Sequence, residues 1–449
     1  MRRLLLLLCL PIAFGCNSAG TTTGGTPTSS PSSGSIAFVD VNVIPMNRPG
    51  VTRGQTVIVE EDRIVAVGPT ATVRVPEGAR VIDGSGKYLL PGLAEMHGHI
   101  PPPQAPAQFT EDVLFLYVAA GITTVRGMLG HEGQLELKAS ANEGTIVSPN
   151  LYLAGPSFNG SSINSPEEAI AKVRQQKREG WDLLKVHPGL TRAEYDAMAR
   201  TAREERIRFG GHVPADVGLA HAIEMGQETM DHVDGYVEHL DGQQKPVDDG
   251  KLAEIVRISK DAGVWIVPTM ALWETLYGTA PLETLESYEE LKYMPRQQVS
   301  QWIETHKARL ANPQLDPAMS RNVIANRMKI LRALNEGGVR ILMGTDAPQQ
   351  FSVPGFALHR ELERMSAAGM SSWDILRSGT VNVGEYFREQ DSFGTVAQGQ
   401  RADLLLVDAN PLDDIENVAH IAGVMTRGRW LSRQDIDARL AQIAARNAE

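Results

Sequence analysis

Apolar residues between positions 36 and 90 come in short, β-branched runs and alternations. Examples are Ile36-Ala-Phe-Val-Asp-Val-Asn-Val-Ile44, Thr56-Val-Ile-Val59 and Arg63-Ile-Val-Ala-Val67, with a turn at Asp83-Gly-Ser-Gly86. Period-two patterning of this kind predicts strands. Helical periodicity is absent until after residue 100, so 36–90 reads as the first part of a small β unit. Strand-like runs of the same character return only near the far end, at Ala402-Asp-Leu-Leu-Leu-Val-Asp408 and within 422–431. One β-sandwich domain built from both chain ends, 36–90 and 394–435, fits this pattern, with a C-terminal helix or tail over 436–449.

The stretch from 91 to 393 has a different rhythm. Eight β-prone runs begin near Ala94, Ile122, Leu151, Leu183, Phe209, Thr229, Val264 and Ile341, and the segments between them mostly show helical patterning. Ser165-Pro-Glu-Glu168 and Thr191-Arg-Ala-Glu194 read as helix starts, because the first residue can cap the backbone N–H that the fourth exposes. Strands alternating with helices predict an α/β chain with a TIM-like (β/α)8 barrel. The connection from about 270 to 340 is too long to be a bare loop; it should carry its own helices and is a candidate lid.

Five short segments each place a metal ligand at the end of one of these runs: Glu95-Met-His97-Gly-His99, Lys185 with His187, Gly210-Gly-His212, Met230-Asp-His232 and Gly344-Thr-Asp346. His97 and His99 are two apart, so on a strand both rings leave the same face. Without a shared partner, two polar rings on an apolar strand would be buried at a cost. Lys185 lies inside Leu183-Leu-Lys-Val186, where an unpaired ammonium is equally costly; a lysine paired to a nearby acid is its bland alternative. His212 and His232 taken singly read as satisfied core histidines, and Asp346 as a helix cap; together with the others they form a constellation at the C-terminal ends of barrel strands. This is the signature of a metal-dependent hydrolase. Tyr236, His187 and Arg126 are candidates for substrate contact, each with an equally good structural reading. His239, His306, His359 and His420 read as surface or packing residues.

In these motifs, and in Val81-Ile-Asp-Gly-Ser-Gly-Lys-Tyr-Leu-Leu-Pro-Gly92 before them and Gly399-Gln-Arg-Ala-Asp-Leu404 after them, the chain resembles the amidohydrolase superfamily. Within it, the imidazolonepropionase-like and Xaa-Pro dipeptidase branch is the most similar. The resemblance implies two divalent ions, most simply zinc, with His97, His99 and Asp346 on one and His212 and His232 on the other. It further implies that Lys185 is carboxylated on its side-chain nitrogen and bridges the two, and that Asp346 is the catalytic acid–base. The implied reaction is hydrolysis of an amide or peptide C–N bond in a dipeptide, Xaa-Pro or N-acyl amino acid substrate. A lactonase, esterase or phosphotriesterase-like activity would use nearly the same site. Single-metal deaminases fit less well, since they place a Glu shortly after the fifth-strand histidine, whereas His212 is followed by Val-Pro-Ala-Asp216. A non-catalytic scaffold would be expected to have lost ligands, and none is lost.

Composition narrows the partners. A net charge of −11 argues against nucleic-acid binding, which depends on clustered Lys and Arg. Met1-Arg-Arg3 followed by the apolar run 4–14 reads as a signal peptide, ending at Ala13-Phe-Gly-Cys16 in a lipoprotein-like cleavage box. Export to the bacterial periplasm or cell envelope, anchored to a membrane only through Cys16, is the expectation; a soluble periplasmic protein is the alternative. Residues 17–35, rich in Ser, Thr, Gly and Pro, then form a flexible tether. Cys9 and Cys16 are the only cysteines, so any metal in the folded part is held by nitrogen and oxygen. A small-molecule substrate, possible homo-oligomerisation and no nucleic acid complete the expected partners.

Overall fold

A computed structural model describes residues 34–448 of the chain. The expected signal peptide, Cys16 and most of the tether lie outside the described residues. The eight barrel-type strands form where the sequence places them, at Leu93–Gly98, Ile122–Gly127, Asn150–Leu153, Leu183–Val186, Arg208–Gly211, Thr229–Asp231, Trp265–Val267 and Arg340–Ile341. All their pairings are parallel, the first three strands in one sheet and the other five in a second, each strand beside its neighbour in sequence. Backbone hydrogen bonds cross both gaps between the sheets. Gly155 N–H donates to Leu183 O (3.1 Å) on one side, and Met96 N–H to Met343 O (2.8 Å) on the other. Most side chains of these strands are buried on both faces, which explains why they read as continuous apolar runs.

The helical starts behave as their sequences dictate. Thr191 and Glu194 make the full reciprocal capping box of helix Arg192–Glu205. At Pro166–Glu179 only half of it forms: Ser165 accepts from Glu168 N–H, while the Glu168 carboxylate reaches back to Asn164. The long connection carries helices Met270–Leu276, Leu282–Glu286, Arg296–Leu310 and Pro317–Glu336.

Both chain ends meet in one sheet. Strands Ile36–Val43, Thr52–Glu60, Arg63–Pro69, Arg80–Asp83 and Tyr88–Pro91 are joined by Leu404–Val407, Ile421–Thr426 and Arg429–Ser432. The junction is the antiparallel pairing of Leu404–Val407 with Tyr88–Pro91. This sheet has its own apolar core, including Phe38, Val57, Leu89, Leu404 and Trp430. The last helix begins at Arg433, slightly earlier than the sequence suggests.

Arg401, fully buried, locks this unit to the parallel strands. It donates to Asp403 (2.7 Å), Asp391 (2.7 Å) and the Thr124 hydroxyl (3.1 Å), and Asp403 also accepts from Asn150 (3.0 Å). Removing one partner of such a buried pair strands the other charge. Arg401→Ala is therefore expected to cost about 3–5 kcal/mol of unfolding free energy, readable as a lowered midpoint in urea with the slope unchanged.

Candidate active site

His97 and His99 leave the end of the first barrel strand, where the pairing with the second strand is irregular between Glu95 and Gly98. Glu95 is wholly buried and ties the first strand to the last. Its carboxylate accepts the backbone N–H of His97 (2.9 Å), the backbone N–H of Thr345 (2.8 Å) and the Thr345 hydroxyl (2.5 Å). Burial pushes its pKa up to about 7 despite these donors.

The ligand candidates converge. His97 Nδ1 lies 2.7 Å from Asp231 Oδ2, which turns Nε2 towards Lys185 Nζ at 3.0 Å and Asp346 Oδ1 at 3.7 Å. His99 Nε2 is 2.5 Å from Asp346 Oδ1, and one ligand atom each from His97, His99 and Asp346 fall within 4.8 Å of one another. On the other side, His232 Nδ1 pairs with the Thr269 hydroxyl (2.8 Å) and His212 Nδ1 with Asp234 (2.6 Å). The His232 ring centroid is 4.4 Å from that of His97 and 4.5 Å from that of His212. His232 Nε2 is buried with no hydrogen-bond partner and faces Asp346 Oδ2 at 3.7 Å. A buried lone pair left without a donor is costly, and here it points at the other candidate ligands.

The electrostatics keep these groups in their ligating forms. Burial, then the neighbouring Lys185, holds His97 well below the usual imidazole range; burial, His97 and His212 do the same for His232. Burial lowers Lys185 to about 8, although Asp231 and Asp346 pull the other way. Burial alone would raise Asp231, but the Arg126 guanidinium and Lys185 outweigh it and keep the carboxyl below its ordinary value. Neutral imidazoles and anionic carboxylates are what a divalent cation binds, and a carboxylate behind the far nitrogen of a ligating histidine fixes its orientation. The residues present thus fit metal ions.

His232, Thr269 and Asp346 adopt left-handed backbone conformations (φ 64°, 49° and 66°). Each costs on the order of 1–3 kcal/mol and is characteristic of functional sites. At His232 this conformation breaks the strand alternation, so that Asp231 and His232, though adjacent, both serve the interior.

A cavity of about 570 Å³ opens above these groups, lined by His97, His99, His187, His212, His232 and Asp346 on its floor. Of the expected substrate contacts, His187 lines it, stacked 5.0 Å from His212. The other two expectations need correction. Arg126 is wholly buried beneath the floor, donating to both Asp231 oxygens (3.2 and 3.1 Å) and to Met96 O (2.6 Å), so it positions Asp231 rather than meeting substrate. The Tyr236 hydroxyl is spent on Ser259 (2.7 Å) in the core, away from the cavity. His306, read as a surface or packing residue, is a packing one, buried against Phe351.

Sequence reasoning missed Glu95, Asp231, Asp234, Thr269, His131 and Trp273. Glu95 was accessible, because it shares the parity of His97. Asp231 adjoins His232, where strict alternation would have sent it to the opposite face. Thr269, His131 and Trp273 lie outside the ligand motifs, and only the folded chain brings them to the site.

The sequence profile described as "Amidohydrolase family" matches residues 88–431. An adenine deaminase of Ruegeria pomeroyi is 25% identical over 197 residues, 41% of this chain, and this match spans about a third (33%) of that protein's length. A 5-methylthioadenosine/S-adenosylhomocysteine deaminase of Caldanaerobacter subterraneus subsp. tengcongensis is 23% identical over 407 residues, covering 84% of this chain and 85% of its own. Among solved structures, a Xaa-Pro dipeptidase with bound methionine superposes with a TM-score of 0.67 at 20% identity, covering 89% of this chain and all (100%) of the other. These likenesses imply a TIM-like barrel for the parallel strands.

Proposed function

The chain belongs to the amidohydrolase family, whose members are metal-dependent hydrolases of C–N bonds, and we propose that it cleaves an amide or peptide C–N bond of a small acylated or dipeptide-like substrate. The observation that carries this reading is the convergence of His97, His99, His212, His232 and Asp346 on one cavity floor, with the buried Lys185 Nζ 3.0 Å from His97 Nε2. In our reading His97, His99 and Asp346 would hold one divalent ion, His212 and His232 would hold a second, and Lys185, once carboxylated, would supply anionic oxygens to both. The hydrogen bonds crossing both sheet gaps support a closed (β/α)8 ring around this floor, and the separate core of the terminal sheet supports a sandwich-like unit beside it.

Divalent ions in such a site supply Lewis acidity, making water acidic enough to attack at neutral pH and polarising the carbonyl; zinc suits the donor set. The remaining work belongs to the chain. Asp346, held against His99 at 2.5 Å, takes the proton of the attacking water and returns it to the departing nitrogen. Thr269 fixes the ring of His232 through its Nδ1, and the Asp231 carboxylate stands 2.7 Å from the Nδ1 of His97. Lys185, whose amine is readily neutral, attacks carbon dioxide through its lone pair; loss of one proton leaves an anionic carbamate. The basic, apolar N-terminus and Cys16 support an envelope location.

Deamination is the second reading, favoured by the names of two relatives. Against it stands Lys185 beside His97, and Asp346 as the only carboxylate lining the cavity among the described residues. A panel of N-acyl amides and aminopurines, assayed with zinc-supplemented protein, separates the two. Amine release with about two ions per chain by atomic emission is the expected result; ammonia release from an aminopurine with one ion would establish the second reading instead.

A further inference from the structure

Above its polar floor the cavity changes character. Ile100, Phe109, Leu129, Leu272, Trp273 and Leu276 form the walls, three of them from the helix that opens the long connection. The polar groups at this level are His131, Gln298 and Gln349, all side chains without a fixed charge at neutral pH. Burial lowers the His131 pKa, which keeps the ring uncharged. Among the described residues no lysine or arginine lines the cavity.

The guanidinium that stacks behind the aromatic wall is already committed. Arg327, from helix Pro317–Glu336, lies wholly buried with its guanidinium carbon 3.9 Å over the Trp273 ring, donates to the backbone oxygen of His232 and sits 3.7 Å from Asp234. It therefore stiffens the aromatic wall and couples it to the floor. Its charge is balanced by Asp234, which in turn holds His212.

From this we infer that the substrate class is a neutral amide carrying an aromatic or branched apolar group, packed on Trp273, with no free carboxylate on the part that meets these walls. The inference rests on the amide-hydrolase reading and narrows it, setting blocked or uncharged amides ahead of free dipeptides and N-acyl amino acids. A carboxylate entering these walls would lose its hydration without gaining an ionic partner, whereas an apolar ring exchanges water for carbon. The volume is that of a pocket enclosing a small ligand.

The experiment uses an isosteric pair, 4-acetamidobenzamide and 4-acetamidobenzoate, with release of the aniline followed on zinc-supplemented enzyme. Calorimetric binding of benzamide and benzoate to the same protein gives a readout independent of turnover. The neutral member of each pair is expected to be favoured at least tenfold. Trp273→Ala should raise KM for the neutral acetamide about tenfold with kcat little changed, and Trp273→Phe, which keeps an aromatic wall, should recover most of the loss. Equal or better use and binding of the carboxylates overturns the inference. So does a Trp273→Ala protein, natively folded by circular dichroism, whose KM is unchanged. If neither acetamide is hydrolysed while benzamide still binds at least tenfold tighter than benzoate, the preference of the cavity for a neutral aromatic ligand stands and the amide-hydrolase reading falls, taking the amide assignment with it.

Discussion

Replacing Asp346 by asparagine is expected to lower kcat/KM by about 10²–10⁴-fold, the range that a positioned general acid–base supplies. Asparagine keeps the shape and can still accept one hydrogen bond, but it cannot take up and return a proton. Both Asp346 oxygens face the cluster, Oδ1 at 2.5 Å from His99 Nε2 and Oδ2 at 3.7 Å from His232 Nε2. The loss should therefore fall on kcat more than on KM, and it should be accompanied by weaker metal retention. Steady-state kinetics with metal analysis of the same preparation checks both. A variant with full kcat and full metal content would remove Asp346 from the mechanism and return it to the helix-cap role that its sequence context also allows.

The Lys185→Ala protein is expected to retain little activity, a loss well beyond the about 10- to 100-fold typical of outer-sphere partners of a metal. Lys185 Nζ lies 3.0 Å from His97 Nε2, inside the group of donors rather than behind it. Its amine is depressed to about 8 by burial. In the wild-type protein, reactivation of metal-stripped material with zinc should be faster when bicarbonate is present, because the carbamate forms only from the neutral amine. Acetate should partly restore the alanine variant by occupying the vacated bridge. Lys185→Arg should fail, since a guanidinium stays cationic and would repel the two proposed ions. An arginine variant with two bound metals and full activity would end the bridging proposal.

The route from sequence to fold was most direct where patterning is local. The eight strand starts and Thr191–Glu194 follow from apolar runs and cap chemistry, which act over a few residues. The pairing of the two chain ends was also readable, because strand-like segments at 36–90 and after 402 had no other partner of their kind. In the site, His97 and His99 announce themselves by parity. Arg126 and Tyr236 did not resolve in the same way. Arg126 lies near the end of its strand and Tyr236 just beyond another, where a substrate contact would sit, but Arg126 turns under the floor to Asp231 and Tyr236 into the core to Ser259. Which way a long side chain turns at a strand end depends on partners more than 20 residues away, and no local pattern carries that information. Trp273 and Arg327 show the same limit, since their stacking joins two helices of one long connection.

The junction of the two chain ends has a consequence for biogenesis. Strand Tyr88–Pro91 receives its partner Leu404–Val407 only after about 300 further residues have been synthesised. At translation rates of about 5–20 residues per second this takes roughly 15 to 60 s. Throughout that interval the N-terminal part of the sheet presents an unpaired edge, next to Leu89 and Leu90, which are fully buried once the chain is complete. The nascent chain therefore exposes a ready-made template for strand addition, and a holdase that covers residues near 88–91 would protect it until the last strands arrive.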